Sequence, residues 1–190
     1  MTPSFLKLIN KTWSLFLDRD GVINKQIIGG YVSSPDEFDF LPGVLESFAF
    51  FSTLFNKVII ITNQQGVGKG IMSEAELIAV NNYMIKKISE AGGKLDAIYY
   101  CTDMAEKIGN CRKPSPSMAQ KALLDFPEID FSKSIMVGDS LCDIEFGQNM
   151  GMKTIFSGNN HDSNQAASMA DYKVQSLFEL MSVLEKLLRT

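Results

Sequence analysis

Ser14–Asn24 reads SLFLDRDGVIN: an apolar run, then Asp18-Arg19-Asp20-Gly21, then a short apolar return. Three large apolar residues in succession, bounded by a charged cluster, fit a strand buried on both faces. Two carboxylates two residues apart at the end of such a strand can divide labour. One can attack phosphorus and become an aspartyl-phosphate. The other can protonate the leaving oxygen and then take a proton from water. Gly21 lets the backbone turn sharply after them.

The same pattern repeats along the chain. Lys57–Ile61, Ala97–Tyr100, Ser134–Val137 and Lys153–Phe156 are further short apolar runs. Between them lie helical segments. Gly43–Phe55 has apolar residues near a 3.6-residue period. Ser73 opens a helix with Glu76 as its capping box, and Gly92-Gly93 end it. Ser115–Asp125, Ser140–Asn149 and Ser176–Leu188 read as three more. Strands alternating with helices predict an α/β fold, a parallel sheet with helices on both faces, where ligands gather at the carboxyl ends of the strands. The whole chain, 1–190, reads as one domain without repeat or linker.

Those strand ends carry the chemistry: Asp18 and Asp20; then Thr62-Asn63-Gln64-Gln65-Gly66; then Gly138-Asp139-Ser140 with Asp143 close behind; and Arg112-Lys113-Pro114 ahead of a helix. Asp18, Asp20, Asp139 and Asp143 cannot all ionise in one pocket without compensation. Magnesium, a hard cation that takes oxygen ligands, resolves this, and Lys113 adds a second positive charge. Together they suit a phosphoryl group, whose transfer rests on positioning and charge neutralisation. Thr62 offers a hydroxyl and Asn63 an amide to its oxygens.

A calcium loop starting at Asp18 fails, because Val22 and Ile23 stand where a ligand and a glycine belong. Gly66–Gly70 lacks the spacing of a Walker loop and reads as a substrate-side loop. Ser140 and Asp143 form a capping box as well as part of a site. Cys142 reads as a small apolar packing residue.

Taken jointly, Asp18-Arg19-Asp20-Gly21, the Thr62 strand end, Lys113 and Gly138-Asp139-Ser140-x-x-Asp143 resemble the four motifs of the haloacid dehalogenase (HAD) superfamily. FLDRDGVIN (Phe16–Asn24), TNQQGVGKG (Thr62–Gly70) and CRKP (Cys111–Pro114) look like its heptose-bisphosphate 7-phosphatase and histidinol-phosphatase group. The resemblance implies a three-layer, Rossmann-like fold. Asp18 would be nucleophile and Mg²⁺ ligand. Asp20 would be acid/base and lend its carbonyl to the metal, and Asp139 would be the third ligand. Asp143 would stand behind them and orient Lys113, which with Thr62 would hold the transferring phosphoryl group. Asn63, Gln64, Gln65, Gly29, Gly30, Tyr31, Arg112 and Ser140 would face the substrate. Relatives of this group carry a Cys-x-His … Cys-x-Cys zinc loop. Here only Cys101, Asp103 and Cys111 remain of it, the single His161 lies far downstream, and no zinc is expected. Thr62 follows Asp18 by only 44 residues, which leaves no room for a large cap domain.

Composition bounds the partners. A net charge of −4 and no basic stripe argue against nucleic acid. No run approaches the roughly 20 apolar residues that span a bilayer. Three cysteines do not make a disulfide framework, and the reading is a cytoplasmic monomer acting on a small phosphorylated molecule. The expected reaction is removal of the 7-phosphate of a heptose bisphosphate. The alternatives are histidinol phosphate, a polynucleotide 3′-phosphate, or a non-catalytic binding domain on the same fold.

Overall fold

In the computed structural model, which describes residues 2–158 and 164–189, the apolar runs become strands of one six-stranded sheet. They are β1 (Ser14–Leu17), β2 (Lys57–Asn63), β3 (Ala97–Cys101), β4 (Ser134–Gly138), β5 (Lys153–Ser157) and β6 (Tyr172–Val174). Their order is β3-β2-β1-β4-β5-β6, and every pairing is parallel. Side chains alternate across the sheet. Leu15, Leu17, Val58, Ile60, Ile135 and Val137 enter one core. Phe16, Ile59, Ile61 and Met136 enter the other. Burial on both faces explains why these strands read as continuous apolar runs rather than alternating ones.

Seven helices occur among the described residues: α1 (Val44–Leu54), α2 (Gln65–Gly68), α3 (Glu74–Glu90), α4 (Ser117–Asp125), α5 (Leu141–Asn149), α6 (Asn164–Met169) and α7 (Leu177–Leu188). Phe48 and Phe51 of α1, Val80 and Met84 of α3 and Leu180 and Leu184 of α7 cover the first core. Met118, Ala119 and Ala122 of α4 and Phe146 of α5 cover the second. The capping box of Ser73 and Glu76 forms as expected, with Ser73 N donating to Glu76 Oε2 at 2.6 Å. No helix among the described residues is long and apolar enough to cross a membrane.

The chain leaves β1 toward β2 on one side and reaches β4 on the other, so β1 and β4 flank the point where the strand order reverses. A crevice opens there beyond the carboxyl ends. The ends of β1, β2 and β4 deliver Asp18, Thr62 and Asp139 to it.

Three cysteines suggested no disulfide framework, yet Cys101 and Cys111 form a disulfide, their Cα atoms 5.6 Å apart. The reason is local. Cys101 ends β3, and the chain returns to the same strand end ten residues later, within bridging distance. His161 lies outside the described residues.

Candidate active site

A cavity of about 410 Å³ occupies the crevice. Asp18, Asp20, Thr62, Lys113 and Asp139 line it, together with Gly29, Gly30, Tyr31, Asn63, Gln65, Lys69, Arg112, Ser140 and Cys142. Five sequence segments therefore converge on one hollow.

Its centre is a buried ion cluster. Lys113 Nζ donates to Asp18 Oδ1 at 2.7 Å and to the Ile61 carbonyl at 2.7 Å, and lies 2.5 Å from Asp143 Oδ1. These contacts engage all three ammonium protons. The lysine thus fixes Asp18 from one side and leaves Oδ2 for other work. Asn63 holds the lysine in place: its Oδ1 accepts from Lys113 N at 2.9 Å. Asp143, wholly buried, also accepts from Ser140 N and Oγ at 3.1 and 2.5 Å, so it caps α5 and anchors the lysine at once.

The electrostatics show an excess of negative charge. Burial pushes the Asp18 carboxyl up to about 7, with Lys113 opposing and Asp143 and Asp20 adding to the rise. Burial likewise raises Asp139 to about 8, reinforced by Asp18 and Asp143. Burial acts to lower Lys113, but Asp143 and Asp18 outweigh it and hold its ammonium well above the usual range. One lysine does not neutralise this many carboxylates.

A divalent cation fits that deficit. Carboxylate oxygens of Asp18, Asp139 and Asp143 lie within 4.8 Å of one another. All are hard donors of the kind Mg²⁺ takes. Gly21, at φ +88°, passes so close to the Asp139 carboxylate that a Cβ there would strike it. The glycine keeps Asp139 beside Asp18.

Asp20 is held differently. Asn24 Nδ2 donates to its Oδ1 at 2.9 Å and Gln64 Nε2 to its Oδ2 at 2.7 Å, while Arg19 Nη2 touches both oxygens at 3.2 and 3.1 Å. Gln64 also donates to Thr62 Oγ1 at 2.9 Å, which frees the threonine proton for another acceptor. Gln64 was expected to face substrate. It is instead fully buried and does not line the cavity, because Asp20 and Thr62 both take its amide.

On the substrate side, Tyr31 rests on α2. A Cβ at Gly66 would come within 2.7 Å of the tyrosine ring, so only glycine lets the Gly29-Gly30-Tyr31 loop dock there. Lys69 lies 5.8 Å above the same ring. Arg112 lines the cavity with Nη1 buried and unpartnered. The sequence placed Lys69 only within a substrate-side loop, Gly66–Gly70, without singling it out, and read Cys142 as packing. Cys142 faces the cavity with Sγ 3.1 Å from Ser140 Oγ. Cys101, Asp103 and Cys111 do lie together, but the two sulfurs are bonded to each other and Asp103 accepts from Cys111 N at 3.1 Å.

Comparison with known proteins agrees with this geometry. A family model described as HAD-hydrolase-like matches residues 110–180. The D-glycero-α-D-manno-heptose-1,7-bisphosphate 7-phosphatase of Mycobacterium tuberculosis is 36% identical over 138 residues, 73% of each chain. The D-glycero-D-manno-heptose-1,7-bisphosphate 7-phosphatase of Chlorobaculum tepidum is 34% identical over 183 residues, 88% of this chain and 92% of that one. Among solved structures, D,D-heptose 1,7-bisphosphate phosphatase from B. bronchiseptica, complexed with magnesium and phosphate, superposes with a TM-score of 0.82. It is 30% identical and covers 93% of this chain and 98% of its own.

Proposed function

This chain belongs to the heptose-bisphosphate phosphatase family of the HAD superfamily, and we propose that it hydrolyses the 7-phosphate of D-glycero-D-manno-heptose 1,7-bisphosphate through an aspartyl-phosphate on Asp18. The observation that carries the reading is Asp18 itself. It is a buried carboxylate with one oxygen fixed by Lys113, and it lines a cavity that Asp20 also lines.

Asp18 Oδ2 attacks phosphorus as the bond to the C7 oxygen breaks. Asp20 gives that oxygen its proton, so the sugar leaves as an alcohol. Water then attacks the phosphoryl group, Asp20 takes the water's proton, and Asp18 is released with inorganic phosphate. Thr62 Oγ1, which accepts from Gln64 Nε2, keeps its own proton to donate to a phosphoryl oxygen. Lys113 keeps Asp18 aligned and places its charge beside the transferring group. Asp18, Asp139 and the Asp20 backbone carbonyl would hold Mg²⁺, which when bound neutralises phosphoryl charge. Arg112 and Lys69, two cations lining the same hollow, suit the phosphate at the far end of the substrate.

The test is phosphate release, with Mg²⁺ present, across a panel of heptose bisphosphate, histidinol phosphate and a 3′-phosphorylated oligonucleotide. The reading requires the highest kcat/KM on heptose bisphosphate. A higher value on either of the others would replace the substrate while leaving the Asp18 chemistry in place.

A further inference from the structure

Arg19 stands between the two reactive carboxylates in sequence but does not reach the cavity. It is the largest fully buried side chain among the described residues. Burying a guanidinium is unfavourable unless it is paired, and its ion partner is Asp20, 3.1 Å away. Nη2 reaches both Asp20 oxygens, and Nη1 donates to Asn81 Oδ1 at 3.1 Å. Asn81 is itself buried, on the inner face of α3. A cation is thereby strung between a helix of the scaffold and the carboxylate at the cavity wall.

The Asp20 carboxylate receives two donors on each oxygen: Arg19 and Asn24 on Oδ1, Arg19 and Gln64 on Oδ2. A carboxylate offers about four acceptor sites, so its plane is fully determined by its neighbours, and the proton that Asp20 carries takes the site that Asn24 or Gln64, the neutral donors, gives up when its amide turns. A surface aspartate would rotate freely. A proton carrier gains from such restraint, because transfer needs the donor oxygen within hydrogen-bond reach of the leaving oxygen.

We propose that Arg19, anchored by Asn81, is the positioning residue for Asp20 and holds its carboxyl in the orientation from which it protonates the leaving oxygen. This rests on the reading of Asp20 as acid/base given above. Arg19 touches no reacting atom. A purely structural role, tying β1 to α3, would make a different demand: its loss would impair every substrate alike.

The distinguishing variable is the leaving group. Nitrophenolate departs without a proton, whereas the sugar alkoxide requires one. kcat/KM reports events up to departure of the leaving group, so it isolates protonation from later hydrolysis of the aspartyl-phosphate. The ratio of kcat/KM for heptose bisphosphate to that for 4-nitrophenyl phosphate is measured in the parent, Arg19→Gln, Asn81→Ala, Asp20→Asn and the Arg19→Gln/Asp20→Asn double variant. Arg19→Gln should lower the ratio about 100-fold, the low end of what a general acid contributes. Asn81→Ala should lower it about tenfold, as misplacement without loss of the charge. In the Asp20→Asn background Arg19→Gln should change it no further. If Arg19→Gln does not fold, Asn81→Ala carries the test. A lowered ratio in Asp20→Asn but not in either positioning variant overturns the inference alone. An unchanged ratio in Asp20→Asn overturns the acid/base reading and the inference together.

Discussion

Removing the metal should make this protein less stable as pH rises, opposite to the usual behaviour of carboxylates held by hydrogen bonds. Asp18 and Asp139 have folded-state pKa values of about 7 and 8, both raised by burial above the ordinary 3.8. Between pH 4 and 8 the metal-free native state therefore binds protons that the unfolded chain has released. Its stability is greatest at the acid end and is lost as pH climbs through 7 and 8. Each group contributes at most about 1.4 kcal/mol per pH unit, which bounds the loss between pH 5 and 7 at about 5–6 kcal/mol. Water entering the metal-free cavity and sharing of protons across the cluster reduce this to about 2–3 kcal/mol, or about 5–10 °C in Tm for a chain of this size. Glu37, Glu76, Asp103, Glu128 and Asp130 have the opposite sign, since local hydrogen bonds pull their carboxyls down. Their contribution is complete by about pH 5, below the window of interest. Mg²⁺ binds only the folded, ionised cluster, so its stabilisation should grow with pH and reach about 2.7 kcal/mol at a hundredfold excess over Kd. Asp139→Asn should flatten the metal-free slope, exceed the parent in EDTA at pH 8, and respond weakly to Mg²⁺. The assay is thermal melting from pH 5 to 8.5 with EDTA or Mg²⁺. A metal-free Tm that is flat or rising over that range, or a Mg²⁺ response equal at pH 5 and 8, would refute the reasoning.

Lys113→Met removes the cation shared by Asp18 and Asp143, and stability at pH 8 should fall by about 3–5 kcal/mol. Urea unfolding should show the deficit shrinking toward pH 5 as the stranded carboxyls protonate; a deficit independent of pH would contradict the ion-pair account. Elemental analysis of the purified protein should find less than one zinc per chain, and about one tightly held zinc would show that Cys101, Asp103 and Cys111 still form a ligand set. Cys111→Ser should leave the fold intact and destabilise it by about 3 kcal/mol or less under oxidising conditions, with little effect once the parent is reduced.

The fold was legible where burial writes itself into composition. β1, β2 and β4 are apolar on both faces and stand out as uninterrupted runs, while β5 shows only Ile155 and Phe156, which enter different clusters. β6 escaped because Tyr172–Val174 has only three residues and sits at an edge. α2 escaped because Gln65–Gly68 is a single turn with two glycines, poor helix formers that pass for a loop. Within the site, Asp18, Thr62, Lys113 and Asp139 were legible as candidates because each lies at or just past the end of a strand or shortly ahead of a helix. What sequence did not reveal was who holds whom. Gln64 and Asn63 are adjacent amides of similar chemistry. The first turns inward to Asp20 and Thr62, and the second clamps the Lys113 backbone. That division depends on strand pleat and on the returning Arg112–Lys113 segment, neither of which is encoded locally. The disulfide was missed for the same reason, since it depends on where a ten-residue loop brings Cys111 back.

In the proposed mechanism phosphorus passes through Asp18. The direct measurement is intact-protein mass spectrometry after rapid acid quench of enzyme mixed with heptose bisphosphate and Mg²⁺, followed by peptide mapping under acid. The parent should show a transient species one phosphoryl group heavier, mapped to Asp18 and discharged by hydroxylamine. Asp18→Asn should show none, with turnover lower by several powers of ten. A phosphorylated residue other than Asp18, or substantial turnover by Asp18→Asn, would contradict the covalent mechanism.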